Sequence, residues 1–521
     1  MLFGQQLPRE EWGAPFVKVL REDGNWIVTG KKNTVTLNET NLAIKIQADS
    51  ATWATVASSP EDMLVKHRGE EFTLRLADAR KRVFEPYDTG FKTGVKIRLS
   101  RWQRVNVPYQ GPALDLLLFL TVCLEGKDEE LVFDVAAQEE ETRIRQLDWP
   151  AALDAREIDC TLLPNIRGNL LPRHWPQEYS PIRTLKEGKV DPTDKSVVQS
   201  NVIECWSMSW WGFQKGKSAM MVIVETPDDA AYQFEHPAGG PTLIGPRWRV
   251  SLGRLGYPRT ARFCFFKSGN YVDAPSYDPQ FAIHEENDVS PSVAFPGSRF
   301  GLWKESAIPF MDHWDGGKQT FLNPRFMLGH LIKNYQLLFE HGICPQGSYL
   351  DVFGYVPPDE DFNPEHPATR TDCMRERIAC YNWTRHHMGI VGTEAACDWV
   401  VPFADIFSPL GPGKCVPVPL FNLVYHDAII TTYNPDDLHG FLNGGLPQGG
   451  DLSNLNGETL RRIRRMAALH QRVALVEMTD HEFLDPKYRK ERTTFADGTT
   501  VTVDWDTKTV DIVPEISIPG M

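Results

Sequence analysis

Residues 347–370 read "GSYLDVFGYVPPDEDFNPEHPATR", and residues 371–394 continue "TDCMRERIACYNWTRHHMGIVGTE". Tyr349, Leu350, Val352 and Phe353 are strand formers, so the stretch opens as a strand. The run 354–369 is rich in proline and acid and reads as a loop. The next segment is helical, with Thr369 or Thr371 as N-cap and Gly389 just past its end. "IVGTE" (390–394) then reads as a second strand. A helix between two strands predicts a parallel pair, because parallel strands need a crossover connection.

Upstream, "NPRFMLGHLIKNYQLLFEHG" places Phe326, Leu328, Leu331, Tyr335, Leu338 and Phe339 on one helical stripe, with Gly342 as a stop. Downstream, "VPLFNLVYHDAI" reads as a strand with its following loop, "GETLRRIRRMAALHQ" as a helix and "RVALVEM" as a strand. This alternation predicts a (β/α) barrel domain over 256–485. Residues 1–255 are different, with short alternating runs such as "NTVTLNETNLAIKIQ" and "GVKIRLSRW". They predict an N-terminal β-sandwich. The tail "TTFADGTTVTVDWDTKTVDIV" alternates with period two around turns at Asp497-Gly498 and near Asp506, and predicts a small C-terminal β domain over 486–521. The fold class expected is therefore multidomain α and β: sandwich, (β/α)8-type barrel, C-terminal β segment.

An acid inside a strand of strand formers is costly unless it is used. Asp351 is such an acid, and Glu394 ends the next strand. In a parallel barrel the C-terminal strand ends form the active face. Neighbouring strands lie about 4.8 Å apart, which predicts carboxyl groups about 5–6 Å apart. That suits a retaining glycosidase, whose two carboxyls stand about 5–5.5 Å apart. Asp351 would be the nucleophile and Glu394 the acid/base, set among Gly392, Thr393, Ala395 and Ala396. The bland alternative is a loop-bonding Asp and a Glu paired with an Arg.

The 521 residues suffice for two or three domains. A net charge of −14 argues against a nucleic-acid or anionic-membrane partner, which would want a basic face. With 15 Trp the chain is well supplied with flat faces for sugar rings. The start "MLFGQQLPREEW" has neither a basic n-region nor an apolar h-region, and the nine Cys form no CxxC pair, so a reduced, cytoplasmic protein is expected. No HExxH, GxSxG, phosphate-loop or EF-hand pattern occurs. No cofactor or metal is expected, with a calcium ion held by scattered acids left open. The oligomeric state is not legible.

"YLDVFGYVPPDEDFNPEHPATR" and "GIVGTEAACDWVVPFADIF" resemble glycoside hydrolase family 129 and, more distantly, family 101. "GKSAMMVIVETPDDAAYQF" (216–234) is similar to the sandwich of these enzymes. The resemblance implies an α-N-acetylgalactosaminidase acting by retention on mucin-type glycopeptides or glycosides, with Asp351 as nucleophile and Glu394 as acid/base. The chain departs from that pattern in one respect. Only about 70 residues separate the sandwich from Asp351, where three βα units need about 30 each. Either the barrel is incomplete or the sandwich boundary is late. The same machinery on another α-linked hexose, or a non-catalytic carbohydrate-binding relative, are the alternatives.

Further substrate-binding residues are expected around this pair. Asp312, His313 and Trp314 of "MDHWDGG" would bind hydroxyls and stack on the ring. His366 and Arg370 follow the nucleophile strand, and Arg370 would bind substrate or hold Asp351 ionised. Asp398 and Trp399 follow the acid/base, with Trp399 stacking on the aglycone or packing the rim. His426 follows a later strand, where a lone His is as readily structural, and Asp405 is a candidate acid behind the site. "LNGGLPQGG" (442–450) is a candidate lid.

Overall fold

The computed structural model describes residues 16–48, 50–103, 113–154, 157–164, 168–173, 200–201, 206–235, 243–267, 293–294, 312–314, 317–350, 353–354, 356–395, 397–408, 416–448 and 456–517. The chain is mostly β, arranged in several sheets with few helices. The first half is antiparallel. A five-stranded meander runs from Lys18 to Ala54, followed by a ten-stranded and a six-stranded sheet. Alternation explains the meander: Asn33–Asn38 and Ile44–Ala48 bury every second side chain.

The Ser218–Val224 strand is buried at every position. Met220, Val222 and Val224 enter one hydrophobic cluster with Phe133, Trp149, Trp206 and Trp248. Met221 and Ile223 enter a second cluster with Tyr335, Leu350, Phe353 and Trp399. The run "SAMMVIV" does not alternate because apolar side chains cover both faces of its sheet. The ten-stranded sheet thus lies between the antiparallel core and the segments that carry the candidate site.

A second body of structure is parallel. Its five strands are Gly347–Leu350, Ile390–Glu394, Ile406–Ser408, Ile430–Tyr433 and Leu446–Pro447, in that spatial order. Helices α1 (Met327–Glu340) and α2 (Arg370–Met388) form where the sequence predicts them. Thr369 caps α2: its hydroxyl accepts from the Asp372 N–H at 3.1 Å, and the Asp372 carboxylate accepts from the Thr369 N–H at 2.9 Å. This reciprocal pairing settles Thr369 over Thr371 as the cap. Thr369→Ala is expected to cost about 1 kcal/mol, read as a lowered thermal midpoint. Gly389 ends α2 at φ 91° and Gly342 follows α1 at φ 77°, conformations that favour glycine.

Three expectations are corrected. "VPLFNLVYHDAI" is not a strand: Leu420–Tyr425 is a short helix behind Pro419, and the sheet strand is Ile430–Tyr433. The helical spacing of Leu420, Phe421 and Leu423 buries those side chains where a strand would split them between two faces. "RVALVEM" is not a strand either. A helix runs through Gly457–Val473, and the following strand, Met478–Phe483, joins Lys490–Phe495, Thr500–Asp504 and Thr509–Val513 in an antiparallel sheet. The glycine-rich 442–448 segment is packed structure. A Cβ on Gly445 would lie 2.2 Å from the Tyr433 ring, and one on Gly444 would lie 2.5 Å from Val473. These glycines serve close packing rather than lid motion. Residues 449–450 of that run lie outside the described residues.

Candidate active site

The site begins with register. The Gly347–Leu350 and Ile390–Glu394 strands pair in parallel, Tyr349 beside Gly392 and Leu350 beside Thr393. The Thr393 hydroxyl donates to the Leu350 carbonyl at 2.8 Å. Leu350 and Thr393 immediately precede Asp351 and Glu394 in the chain. Asp351 itself lies outside the described residues. A Cβ on Gly392 would lie 2.8 Å from the Tyr349 ring, which is why this strand carries a glycine where a β-branched residue would otherwise be favoured.

Glu394 closes its strand half-buried, in register with Ser408. Two backbone features hold its position. Ala395 turns away at φ 43°, a left-handed conformation uncommon for alanine, and its N–H donates to the Ser408 carbonyl at 2.8 Å. Gly354, just beyond the first strand, packs so closely that an added Cβ would lie 2.7 Å from the Glu394 carbonyl oxygen. Gly354→Ala should therefore displace the Glu394 backbone. A shift of about 1 Å can cost about 10²-fold in rate, so kcat on an active substrate should fall by roughly that factor, and the thermal midpoint should fall too, since overpacking a buried site costs about 1–3 kcal/mol.

Polar side chains that the sequence reading missed lie along the same strand ends. The Ser408 and Thr432 hydroxyls both donate to the Gln448 side-chain carbonyl, at 3.1 and 3.2 Å. Gln448 hangs off the last parallel strand, its N–H donating to the Tyr433 carbonyl at 2.7 Å. The signal available was Ser408 ending "ADIFS" as Glu394 ends "IVGTE".

His366 is held in a loop-closing cluster. Its Nδ1 is 3.0 Å from Asp361 Oδ2 and its Nε2 is 3.1 Å from the Asn363 amide. The buried Asn323, which caps the short turn Pro324–Phe326 ahead of α1, donates to both Asp361 and the His366 carbonyl. Arg370 faces the antiparallel sheets. It donates to Asp229 at 3.0 Å, to Glu360 at 2.5 Å and to the Val250 carbonyl at 3.2 Å. Arg259 donates to the other oxygen of Asp229 at 2.7 Å, forming a buried Arg–Asp–Arg arrangement.

Asp398 and Trp399 lie in the core, each 1% exposed. A stacking role for Trp399 would require its ring to leave the cluster it shares with Met221 and Leu350. The Asp398 carboxylate accepts from the Ser209 N–H at 3.0 Å and the Trp399 N–H at 2.8 Å. Burial pushes its pKa up to about 7, against those donors and the Ser209 hydroxyl. In the unfolded chain the same group titrates near about 4, so the folded state retains a proton that the unfolded state releases. The stabilisation linked to that proton is present at low pH and is lost as pH rises through about 7. The thermal midpoint should fall between about pH 4 and about pH 7 and level off above that, and Asp398→Asn should flatten that fall.

His426 is buried with Nδ1 2.7 Å from the Val476 carbonyl and Nε2 2.8 Å from the Asn443 carbonyl, so both ring nitrogens face the backbone. Asp405 lies at the far end of the strands from Glu394, bridging Arg385 and the Val391 N–H. Asp312–Trp314 form a strand paired with Gly317–Phe321, and their side chains lie outside the described residues. Among the described residues no group of three or more His, Cys, Asp or Glu is placed to hold a metal.

No protein-family profile matches the chain, and a search of curated proteins finds no match. Solved structures do match. The quadruple mutant of α-N-acetylgalactosaminidase NagBb from Bifidobacterium bifidum superposes with a TM-score of 0.75 at 20% identity, covering 94% of this chain and 100% of that one. The GalNAc complex of NagBb gives 0.74 at 20% identity, over 95% of this chain and 100% of that one. Its Gal-NHAc-DNJ complex gives 0.74 at 20% identity, over 93% and 99%. The likeness is one of fold and runs through nearly the whole length of both chains.

Proposed function

We propose that the protein is a retaining α-glycosidase of the family 129 type, releasing α-linked N-acetylgalactosamine from mucin-type glycopeptides or glycosides. The observation that carries this reading is the parallel register of Leu350 with Thr393. It directs the chain into Asp351 and Glu394 from neighbouring strands. The fold shared with an α-N-acetylgalactosaminidase supports it. In this reading the five parallel strands belong to a (β/α)8-type barrel, with the antiparallel sheets as the sandwich before it.

The chemistry is a double displacement. The Asp351 carboxylate attacks the anomeric carbon while Glu394 gives its proton to the departing oxygen, so the glycosidic bond breaks as a glycosyl ester forms. Glu394, now a carboxylate, takes a proton from water. The resulting hydroxide adds to the anomeric carbon, breaks the ester and restores Asp351. Two inversions leave the configuration unchanged.

The test is a hydrolysis screen on p-nitrophenyl α-glycosides of GalNAc, galactose and glucose, with product configuration followed by NMR. Release of α-GalNAc as first product upholds the reading. Release of another sugar with retention keeps the mechanism and moves the specificity. A β-configured first product overturns retention. No release from the folded protein favours a binding protein without turnover.

A further inference from the structure

The turn that follows Glu394 does not end in solvent. It is fastened to residues almost two hundred positions earlier, in the segment leading into the Trp210–Lys215 strand of the ten-stranded sheet. Three contacts lie in sequence along it. The Cys397 thiol donates to the Trp206 carbonyl at 2.8 Å. The Asp398 N–H donates to the Ser207 carbonyl at 2.6 Å. The Asp398 carboxylate receives the Ser209 N–H on one oxygen and its own neighbour's N–H, from Trp399, on the other.

An acid in this place is unusual. A carboxyl removed from water is costly unless paired, and buried acids normally meet a cation. Among the described residues no charged group faces Asp398: its partners are the Ser209 N–H and hydroxyl and the Trp399 N–H. A side chain serving only to fill space would be apolar here. The carboxyl instead satisfies two backbone donors from chain segments that meet only in the folded protein. Between this anchor and Glu394 lies Ala395, held at φ 43°. A residue kept in that region needs its surroundings to over-determine it. The Ser408 carbonyl holds one side of the turn, at the Ala395 N–H, and the Asp398 anchor holds the other.

We propose that Asp398 is a positioning residue: its carboxyl pins the turn after Glu394 to Ser207–Ser209 of the antiparallel sheet, and through that turn sets where the Glu394 carboxyl stands. This rests on Glu394 being the acid/base of the proposed hydrolysis. It makes the antiparallel sheets part of the catalytic geometry rather than an appended module.

Asp398→Ala and Asp398→Asn are compared with the parent protein by steady-state kinetics on p-nitrophenyl α-GalNAc and by hydrogen exchange. Misplacing an acid by about 1 Å costs about 10²-fold, so Asp398→Ala should lower kcat by about 10- to 100-fold, with KM falling alongside because hydrolysis of the glycosyl ester is the slowed step on an aryl glycoside. Asp398→Asn keeps the volume but only one of the two acceptors, and should recover part of the loss. Exchange should quicken together in peptides spanning 390–401 and 206–210, while those spanning 490–513 stay as in the parent. A raised KM with kcat unchanged overturns the proposal, since it would mean direct contact with substrate. Exchange quickened uniformly along the chain also overturns it, as would no change. If the parent protein hydrolyses no glycoside, the glycosidase reading fails separately, and the exchange pattern still decides the pin.

Discussion

Asp351→Asn is expected to abolish hydrolysis, lowering kcat by about 10⁴–10⁶-fold, the scale on which a covalent nucleophile is missed. The variant should still bind sugar, because the amide has nearly the size of the carboxylate it replaces. Glu394→Gln should behave differently, and the difference identifies the roles. Loss of a general acid costs about 10²–10⁴-fold where the leaving group needs a proton. A serine or threonine alkoxide needs one, whereas p-nitrophenolate leaves with little help. The deficit in the first step should therefore be large on a glycopeptide and much smaller on the aryl glycoside. The second step still lacks its base, so aryl turnover should show a burst of p-nitrophenol followed by a slow steady rate. Equal deficits on both substrates, with no burst, would remove Glu394 from the acid/base role.

The second large effect concerns stability. Asp229 is fully buried and accepts from Arg259, Arg370 and the Ser251 hydroxyl. Asp229→Ala would leave two guanidinium groups facing each other without their shared acid. Breaking a buried pair by removing one partner costs about 3–5 kcal/mol, because the survivor keeps its desolvation cost and loses its counter-charge. Arg259 has the least escape, being fully buried with the Tyr257 ring 3.3 Å from its guanidinium carbon. A fall in the thermal midpoint should be accompanied by loosening of the loop that holds Glu360, since Arg370 ties Glu360 to the same acid. Adding Arg259→Met should restore part of the loss by removing one stranded charge. If the double variant is no more stable than the single one, repulsion between the two guanidinium groups is not the cause.

Much of the local structure was legible without coordinates. "IVGTE" is the strand Ile390–Glu394, and the stripe from Leu328 to Phe339 lies on α1. The stop at Gly389 and the turn at Gly498, φ 85°, follow from chemistry within a few residues, as does the narrowing of the cap to Thr369 or Thr371. Such features depend on backbone sterics and short-range hydrogen bonds, which sequence neighbours supply. Leu420–Tyr425 was misread because short apolar runs suit helix and strand alike, and burial against distant elements decides between them.

The candidate site divides along the same line. Local pattern marked Asp351 and Glu394 as acids at successive strand ends, and the register of the residues preceding them follows from neighbouring parallel strands. By pattern alone Asp398 and Trp399 were equally good candidates for touching sugar, since "CDW" follows Glu394 directly. Only tertiary structure carried them into the core, because Ser209 and Met221, which meet them there, are distant in sequence. Arg370 likewise reads as a residue of the nucleophile loop until Asp229 and Val250 of the antiparallel region are seen beside it. Sequence by itself determined α1, α2, the strand Ile390–Glu394 and where acids stand along them, because those properties are local, whereas short apolar runs such as Leu420–Tyr425 were left to burial against distant elements. Which side chains face the reaction and which hold it in place was decided by contacts between segments far apart in the chain, where burial and charge pairing depend on the whole fold.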